Sequence, residues 1–92
     1  MNRDEFCLRI GVEVETLHIW IEEGWVAPRE EAFSDIDLAR ARLILDLERD
    51  LGVNAEGIGV VLDLVDQVHG LRRTLREVLD ALAEREGREV RS

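Results

Sequence analysis

The sequence predicts an all-α protein, with a winged helix-turn-helix head followed by a long C-terminal dimerisation helix. Three observations support this prediction. Two short amphipathic segments are separated by Gly11 and end at Gly24, as in a helix-turn-helix. The next segment, Trp25 to Phe33, contains the single proline and suits a small two-stranded wing. A heptad pattern of apolar residues then begins at Ile58.

The composition indicates a small globular protein that avoids polyanions. The chain has 92 residues, of which 46% are hydrophobic, enough for one compact head. Twenty-one acids outweigh 12 arginines, which gives a net charge of −9. Residues 1–33 hold eight of these acids against three arginines. Such a field repels nucleic acids and anionic membranes and favours basic partners, so we expect neither nucleic acid nor membrane among its partners.

Cysteine usage and the first residues indicate a reducing compartment. Cys7 is the single cysteine, so no disulfide can form within the chain. Met1 is followed by a polar segment that lacks the apolar stretch of a secretory signal. No apolar run approaches the length of a membrane span. We therefore expect a cytoplasmic protein.

Two helices begin the head. Asn2 and Glu5 resemble a capping box, and the first helix is expected to run from there through Ile10. The second helix is predicted from about Glu13 to Glu23. Its buried stripe, at i, i+3 and i+7, is predicted to be Val14, Leu17 and Ile21.

A second capping-box pattern, Ser34 with Asp37, opens a third helix that is expected to end at Gly52. Its apolar residues fall on two faces, which suggests two neighbours. One stripe comprises Ile36, Leu43, Leu47 and Leu51, while the other face carries Leu38 and Leu45. Asn54 is expected to cap the last helix. The predicted organisation is a head over residues 1–53, a helical or coiled-coil segment over 54–86 and a disordered tail over 87–92.

The last helix carries an apolar seam. With Ile58 at position a of a heptad, the a and d positions through residue 82 are apolar except at Arg72. The seam could pack back on the head, or it could pair with a second copy. Its length, roughly 25 residues, favours a homodimer. The predicted dimerisation residues are Val61, Val65, Val68, Arg72, Leu75, Leu79 and Leu82.

Several residues resemble the MerR-type domain in type and order, namely Gly11-Val12, Thr16-Leu17, Gly24 and Pro28. A closer resemblance, over nearly the whole chain, is to the chaperone-modulator family of the CbpM type. The residues that carry it are Glu5-Phe6-Cys7, Pro28-Arg29-Glu30, Phe33-Ser34-Asp35, Arg42-Leu43, Leu47, Asp50, Gly57-Ile58 and Val61-Leu62-Asp63-Leu64.

This resemblance implies a chaperone modulator that binds the J domain of a CbpA- or DnaJ-like co-chaperone and inhibits its stimulation of Hsp70. J domains of this kind dock on Hsp70 through a basic helix, so an acidic competitor is expected. Ile19 or Trp20 would add an apolar contact. The predicted partner-binding residues are Glu15, His18, Ile19, Trp20, Glu22, Glu23, Glu30 and Glu31.

Two other interpretations of this face stay open. Its glutamates could simply be a solvated surface. Alternatively, the chain could be a MerR-type transcriptional regulator that binds DNA as a dimer. DNA-binding relatives carry an arginine for phosphate where this chain has His18, and a tyrosine where it has Ile19 and Trp20. The acids of this face would repel phosphates, which argues against the regulator.

We expect neither an enzyme nor a metal or cofactor site. Cys7, His18 and His69 do not cluster at the spacings of zinc ligands. Cys7 is better explained as a small buried apolar residue. The glycines at Gly57 and Gly59 lack the strand, lysine and hydroxyl residue of a phosphate-binding loop. No serine has a nearby base, so no catalytic residue is predicted.

Overall fold

The computed structural model describes the backbone of residues 1–91 and the side chains of residues 1–87. This range contains the helices α1 (Arg3–Ile10), α2 (Val14–Glu22), α3 (Asp35–Leu45) and α4 (Ala55–Arg91), and a π-helical turn (Asp46–Asp50) that continues α3. The all-α class is therefore confirmed. The chain divides into two compact units, Met1–Leu62 and the part of α4 that begins at Asp63. The tail predicted for residues 87–92 extends beyond the described residues and stays a prediction.

The helix ends follow the local chemistry of the sequence. The Asn2 side chain accepts a hydrogen bond from the Glu5 amide at 2.8 Å and caps α1. α1 ends where Gly11 adopts a left-handed conformation, with φ 79°. The Asn54 side chain accepts from the Gly57 amide at 2.8 Å and caps α4. These capping predictions are confirmed.

One apolar core holds the first unit together. The rings of Phe6 and Phe33 stack with centroids 4.4 Å apart, which joins α1 to the segment before α3. The first turns of α4 take part through Ile58 and Leu62, which are 2% and 1% exposed. The other buried apolar residues are Cys7, Ile10, Leu17, Trp20, Trp25, Val26, Leu38, Ala41, Ile44 and Leu47.

Cys7 lies in this core, as its apolar neighbours in sequence predict. Burial raises the pKa of its thiol, and the nearby Asp4 carboxylate adds to the effect. The reactive thiolate is therefore disfavoured, and Cys7 contributes packing rather than nucleophilic chemistry.

The predicted two-stranded wing is wrong, because no strand forms within residues 1–91. A single antiparallel bridge joins Arg29 to Ala32 across a two-residue turn. Beyond that turn, Phe33 exchanges backbone hydrogen bonds with Met1, at 2.8 and 2.9 Å. On the other side, the backbone of Trp25 and Ala27 bonds to side chains of α3. The backbone groups that would form a wing are therefore committed to other partners.

The stripe predicted for the third helix is wrong at its two ends, although Leu47 lies in the core and Leu43 packs against it. Ile36 and Leu51 are 72% and 71% exposed. The buried face of α3 instead consists of Asp37, Leu38, Ala41 and Ile44. Leu47 remains buried, but the π-helical turn ends with the Leu51 amide donating to the Asp46 carbonyl, five residues back. That wider turn shifts the register and leaves Leu51 on the surface.

The buried Asp37 carboxylate organises the start of α3. It accepts hydrogen bonds from the Ser34 amide at 2.9 Å, the Ser34 hydroxyl at 3.2 Å and the Ala27 amide at 3.3 Å. The Ser34 hydroxyl in turn accepts from the Asp37 amide, which completes the predicted capping box. One turn later, the Arg40 guanidinium donates to the Trp25 carbonyl. These bonds attach the segment after α2 to α3.

Asp37→Ala is expected to destabilise the chain by about 2–4 kcal/mol, because it removes a buried charged acceptor and leaves the partly buried amides of Ala27 and Ser34 without their partner. Ser34→Ala, which loses only the hydroxyl of the same cap, should cost about 1 kcal/mol. Urea unfolding followed by tryptophan fluorescence measures both values. Asp35→Ala, an exposed acid in the same turn, serves as the control. A loss for Asp37→Ala no greater than that for Asp35→Ala would contradict the role of this carboxylate.

Candidate protein-interaction site

The turn after α2 determines which of its residues face outward. The Trp25 amide donates to the Trp20 carbonyl at 2.9 Å, and the Gly24 amide donates to the Ile21 carbonyl at 3.0 Å. Gly24 is left-handed, with φ 76°. This bonding pattern ends a helix tightly and returns the chain to the core. Because Trp20 and Trp25 are both buried beside this turn, the opposite face of α2 is presented to solvent.

The predicted partner-binding residues divide by exposure. Glu15, His18, Glu22 and Glu23 are exposed, as are Glu30 and Glu31. Ile19 is 55% exposed among the acids of α2. Trp20 is 2% exposed and belongs to the core, so it has almost no surface to offer a partner. The prediction that Trp20 contributes an apolar contact is therefore corrected, and Ile19 is the apolar residue of this face.

The acids at the end of α2 are placed against the preference of the helix, whereas Glu15, in the first turn, is placed in accord with it. A helix C-terminus carries partial negative charge and is stabilised by basic residues, yet the last turn of α2 has none. Glu22 and Glu23 stand there instead. At the other end, Glu13 occupies the N-cap position without making a side-chain hydrogen bond. The acidic surface of α2 thus gives little local stability to the helix that carries it.

The turn at Glu30 and Glu31 also carries acidic residues at positions that its backbone does not favour. Both residues have positive φ angles, 50° and 61°, which glycine or asparagine adopts far more readily than glutamate. The flanking residues Arg29 and Ala32 exchange backbone hydrogen bonds at 3.1 and 2.9 Å, which fixes the turn. The side chains of both glutamates are exposed at its tip. Two carboxylates are therefore displayed at the end of a conformationally costly turn.

The predicted dimerisation residues differ in their surroundings. Val61 is half-buried and packs against the core of the first unit. Val65 is also half-buried, whereas Val68, Leu75, Leu79 and Leu82 are 45–58% exposed. Arg72 is exposed as well. A neighbouring row of apolar residues on α4 is at least as exposed, with Leu64 at 54%, Leu71 at 70% and Val78 at 50%.

Several exposed apolar residues of the first unit were not among the predicted site residues. The most exposed of them, Leu8, Ile36 and Leu51, are 85%, 72% and 71% exposed. Leu8 could have been recognised from the sequence, because it lies on α1 beside Phe6 and Cys7 and cannot share their face. The exposure of Ile36 depends on the capping box of α3, and that of Leu51 depends on the π-helical turn. No pattern in the sequence indicated that either residue would be exposed.

No group of three or more histidine, cysteine or acidic residues among the described side chains could hold a metal ion. None of the helices in the described range combines the length and apolar content that crossing a membrane requires. The face of α2 carries no arginine, and its histidine, His18, is exposed. What this face offers is negative charge around one aliphatic side chain.

Comparison with known proteins agrees with this architecture. The family model of the MerR HTH family regulatory protein matches residues 1–79. The chaperone modulatory protein CbpM of two Coxiella burnetii strains, Dugway 5J108-111 and RSA 331 / Henzerling II, is 36% identical to this chain over 70 residues. The match covers 75% of this chain and 66% of the length of each relative. No solved structure matches the chain. The chain therefore belongs to the MerR HTH family of regulatory proteins and has the chaperone modulatory proteins among its relatives.

Proposed function

We propose that this protein is a chaperone modulator that binds the J domain of a CbpA- or DnaJ-like co-chaperone and inhibits its stimulation of Hsp70. The acids of α2 and of the turn at Glu30 and Glu31 would contact the basic J-domain helix that Hsp70 also needs. Ile19 would supply the apolar contact at the centre of this face. We expect the protein to act in the cytoplasm as a homodimer.

One observation carries the proposal: four of the exposed acids, Glu22, Glu23, Glu30 and Glu31, lie where the local backbone does not favour them. Acids at a helix C-terminus and glutamates with positive φ both reduce the stability of the chain that carries them. A face that was merely solvated would gain from basic residues in the last turn of α2. Departures from local preference are expected where a surface serves a partner. A cationic partner would offset the cost with charge-complementary contacts.

The family match favours a second candidate function, a transcriptional regulator that binds DNA as a dimer. In a helix-turn-helix the second helix enters the major groove and needs positive charge beside it to meet the phosphates. Here the exposed face of α2 carries Glu15, Glu22 and Glu23 and no arginine. Phosphate contacts supply much of the affinity of such proteins, so this surface opposes DNA binding.

Reversing the charges of Glu15, Glu22 and Glu23 together to arginine should weaken binding to a J domain by about tenfold or more at low salt. It should also flatten the salt dependence of binding, because fewer complementary charges remain to be screened. Calorimetry at two ionic strengths measures both effects. The matched control reverses Glu77, Asp80 and Glu84, which changes the net charge equally on α4. Equal losses in the two variants would remove the α2 face from the mechanism.

Ile19→Ala should weaken the same complex about fivefold to thirtyfold, because a central apolar side chain contributes roughly 1–2 kcal/mol to an interface of this kind. Leu8→Ala is the control, since it makes the same kind of truncation at an exposed residue of α1. Both variants should unfold at nearly the same urea concentration as the parent chain, as both side chains are largely exposed. An unchanged affinity for Ile19→Ala would exclude Ile19 as the anchor.

The regulator is tested by gel shifts with genomic DNA fragments at low salt. We expect weak or no binding, without sequence preference, because the head is acidic. The charge-reversed α2 variant provides a positive comparison, since it should gain non-specific affinity for DNA. Tight, sequence-dependent binding by the unmodified chain would overturn the chaperone-modulator proposal.

A further inference from the structure

One segment of α4 is basic although the chain as a whole is acidic. Between Asp66 and Glu77 the sequence contains three arginines and no acid. The whole chain has 21 acids and 12 arginines, so three of the 12 lie in the short stretch from Arg72 to Arg76. Positive charge is thus concentrated at one place on a protein whose net charge is −9.

The basic residues of this segment share one side of the helix. His69, Arg73 and Arg76 are spaced at i, i+4 and i+7, which places them in one row. Their side chains are exposed. Arg72, also exposed, lies beside this row at the edge of the predicted dimerisation seam. The row of His69, Arg73 and Arg76 is called the basic face of α4 below.

The two arginines of the basic face are not neutralised by their own helix. Neither guanidinium group forms an ion pair or a hydrogen bond with another described side chain. Glu77 and Asp80 follow Arg73 and Arg76 by four residues, which is the less favourable order for an ion pair on a helix. Arg72 and Arg73 precede Arg76 by four and three residues, and like charges at these spacings destabilise a helix. A bound anion would offset this repulsion.

The extent of the basic face limits which anions fit it. His69 and Arg76 are about 10 Å apart along the helix axis. Asp66 precedes this row by three residues and Asp80 follows it by four, so an acid stands at each end. A nucleic acid would bring its next phosphates against these acids, and an anionic membrane surface requires a larger cluster of bases. Two or three carboxylates on adjacent turns of a protein helix match the length of the row.

A second copy of this chain is a poor occupant for the basic face. Each copy has a net charge of −9, so an association that depends on exposed charges is opposed by the repulsion between the copies. A separate acidic segment avoids the repulsion between two whole chains. Its carboxylates can each accept two parallel hydrogen bonds from a guanidinium group, which a point charge cannot offer.

We propose that the basic face of α4 binds an acidic helical segment of another protein, one that presents two or three carboxylates within about 10 Å. This proposal does not rest on the chaperone-modulator function, because the α2 face assigned to the J domain is acidic and binds the opposite charge. The protein would then have two interaction surfaces of opposite sign, carried by different helices.

The test measures binding of a labelled helical peptide with glutamates at i, i+4 and i+7 by fluorescence anisotropy. Replacing Arg73→Gln and Arg76→Gln together should weaken binding about tenfold at low salt, and added salt should remove most of that difference. The matched control, Arg3→Gln with Arg9→Gln, makes the same change of charge at exposed residues of α1 and should bind within about twofold of the parent chain. Both variants keep Arg72. Tryptophan fluorescence during urea unfolding verifies that the head is folded in each.

Equal affinities for the two variants would overturn the basic face as a binding site. So would a parent chain that binds a glutamine version of the peptide as tightly as the glutamate version. A single-stranded oligonucleotide and phosphatidylglycerol vesicles test the other anions. Tighter binding of either one, lost when Arg73 and Arg76 are replaced, would overturn the assignment to a protein segment.

Light scattering at low salt tests the remaining occupant. A mass that grows with concentration in the parent chain, but not in the variant without Arg73 and Arg76, would assign the basic face to the acids of a second copy and overturn the proposal. The peptide contains no J domain, so a failure to bind J domains would refute the proposed function and leave this result unaffected.

Discussion

The Asp37 carboxylate is the constraint on which the head depends. It is 6% exposed and accepts hydrogen bonds from Ala27 and Ser34, while Arg40 one turn later bonds to the Trp25 carbonyl. A buried carboxylate is tolerated only when its oxygens are paired, so the hydrogen bonds from Ala27 and Ser34 offset the cost of burying Asp37. They fix the rotation of α3 about its axis and hold the chain that leaves α2 against it. The position of the turn at Glu30 and Glu31 follows from the same attachment.

This scaffold separates the fold of the MerR HTH family from the chemistry that a DNA-binding member needs. The tight turn after α2 and the buried tryptophans contribute to the packing of the core. They are compatible with any charge on the exposed face of α2. The acids are tolerated because they are solvated, although neither the end of α2 nor the turn at Glu30 and Glu31 favours them. An inversion of surface charge can therefore change the class of partner without disturbing the core.

Features governed by neighbouring residues could be predicted from the sequence, and features governed by distant contacts could not. The caps at Asn2, Ser34 and Asn54 depend on residues three positions apart, so their patterns sufficed. The wing was wrong because Phe33 pairs with Met1, a contact that no local pattern reveals. The ends of the stripe predicted for α3 were wrong because its buried face includes a polar residue, Asp37, which a pattern of apolar residues does not reveal. The exposed acids of α2 followed from periodicity, whereas the burial of Trp20 depended on how the turn packs.

The apolar heptad of α4 is clear in the sequence, but it does not by itself determine which face of the helix forms an interface. Apolar residues are so frequent after Ile58 that a second register, with Leu64, Leu71 and Val78 at core positions, fits as well as the first. Both registers include Val68, Leu75 and Leu82. Exposure distinguishes them at the start of the helix, because Val65, which belongs only to the first register, is half-buried, while Leu64 and Leu71, which belong only to the second, are 54% and 70% exposed. Charge distinguishes them again, since one register needs Arg72 inside the seam and the other places it outside.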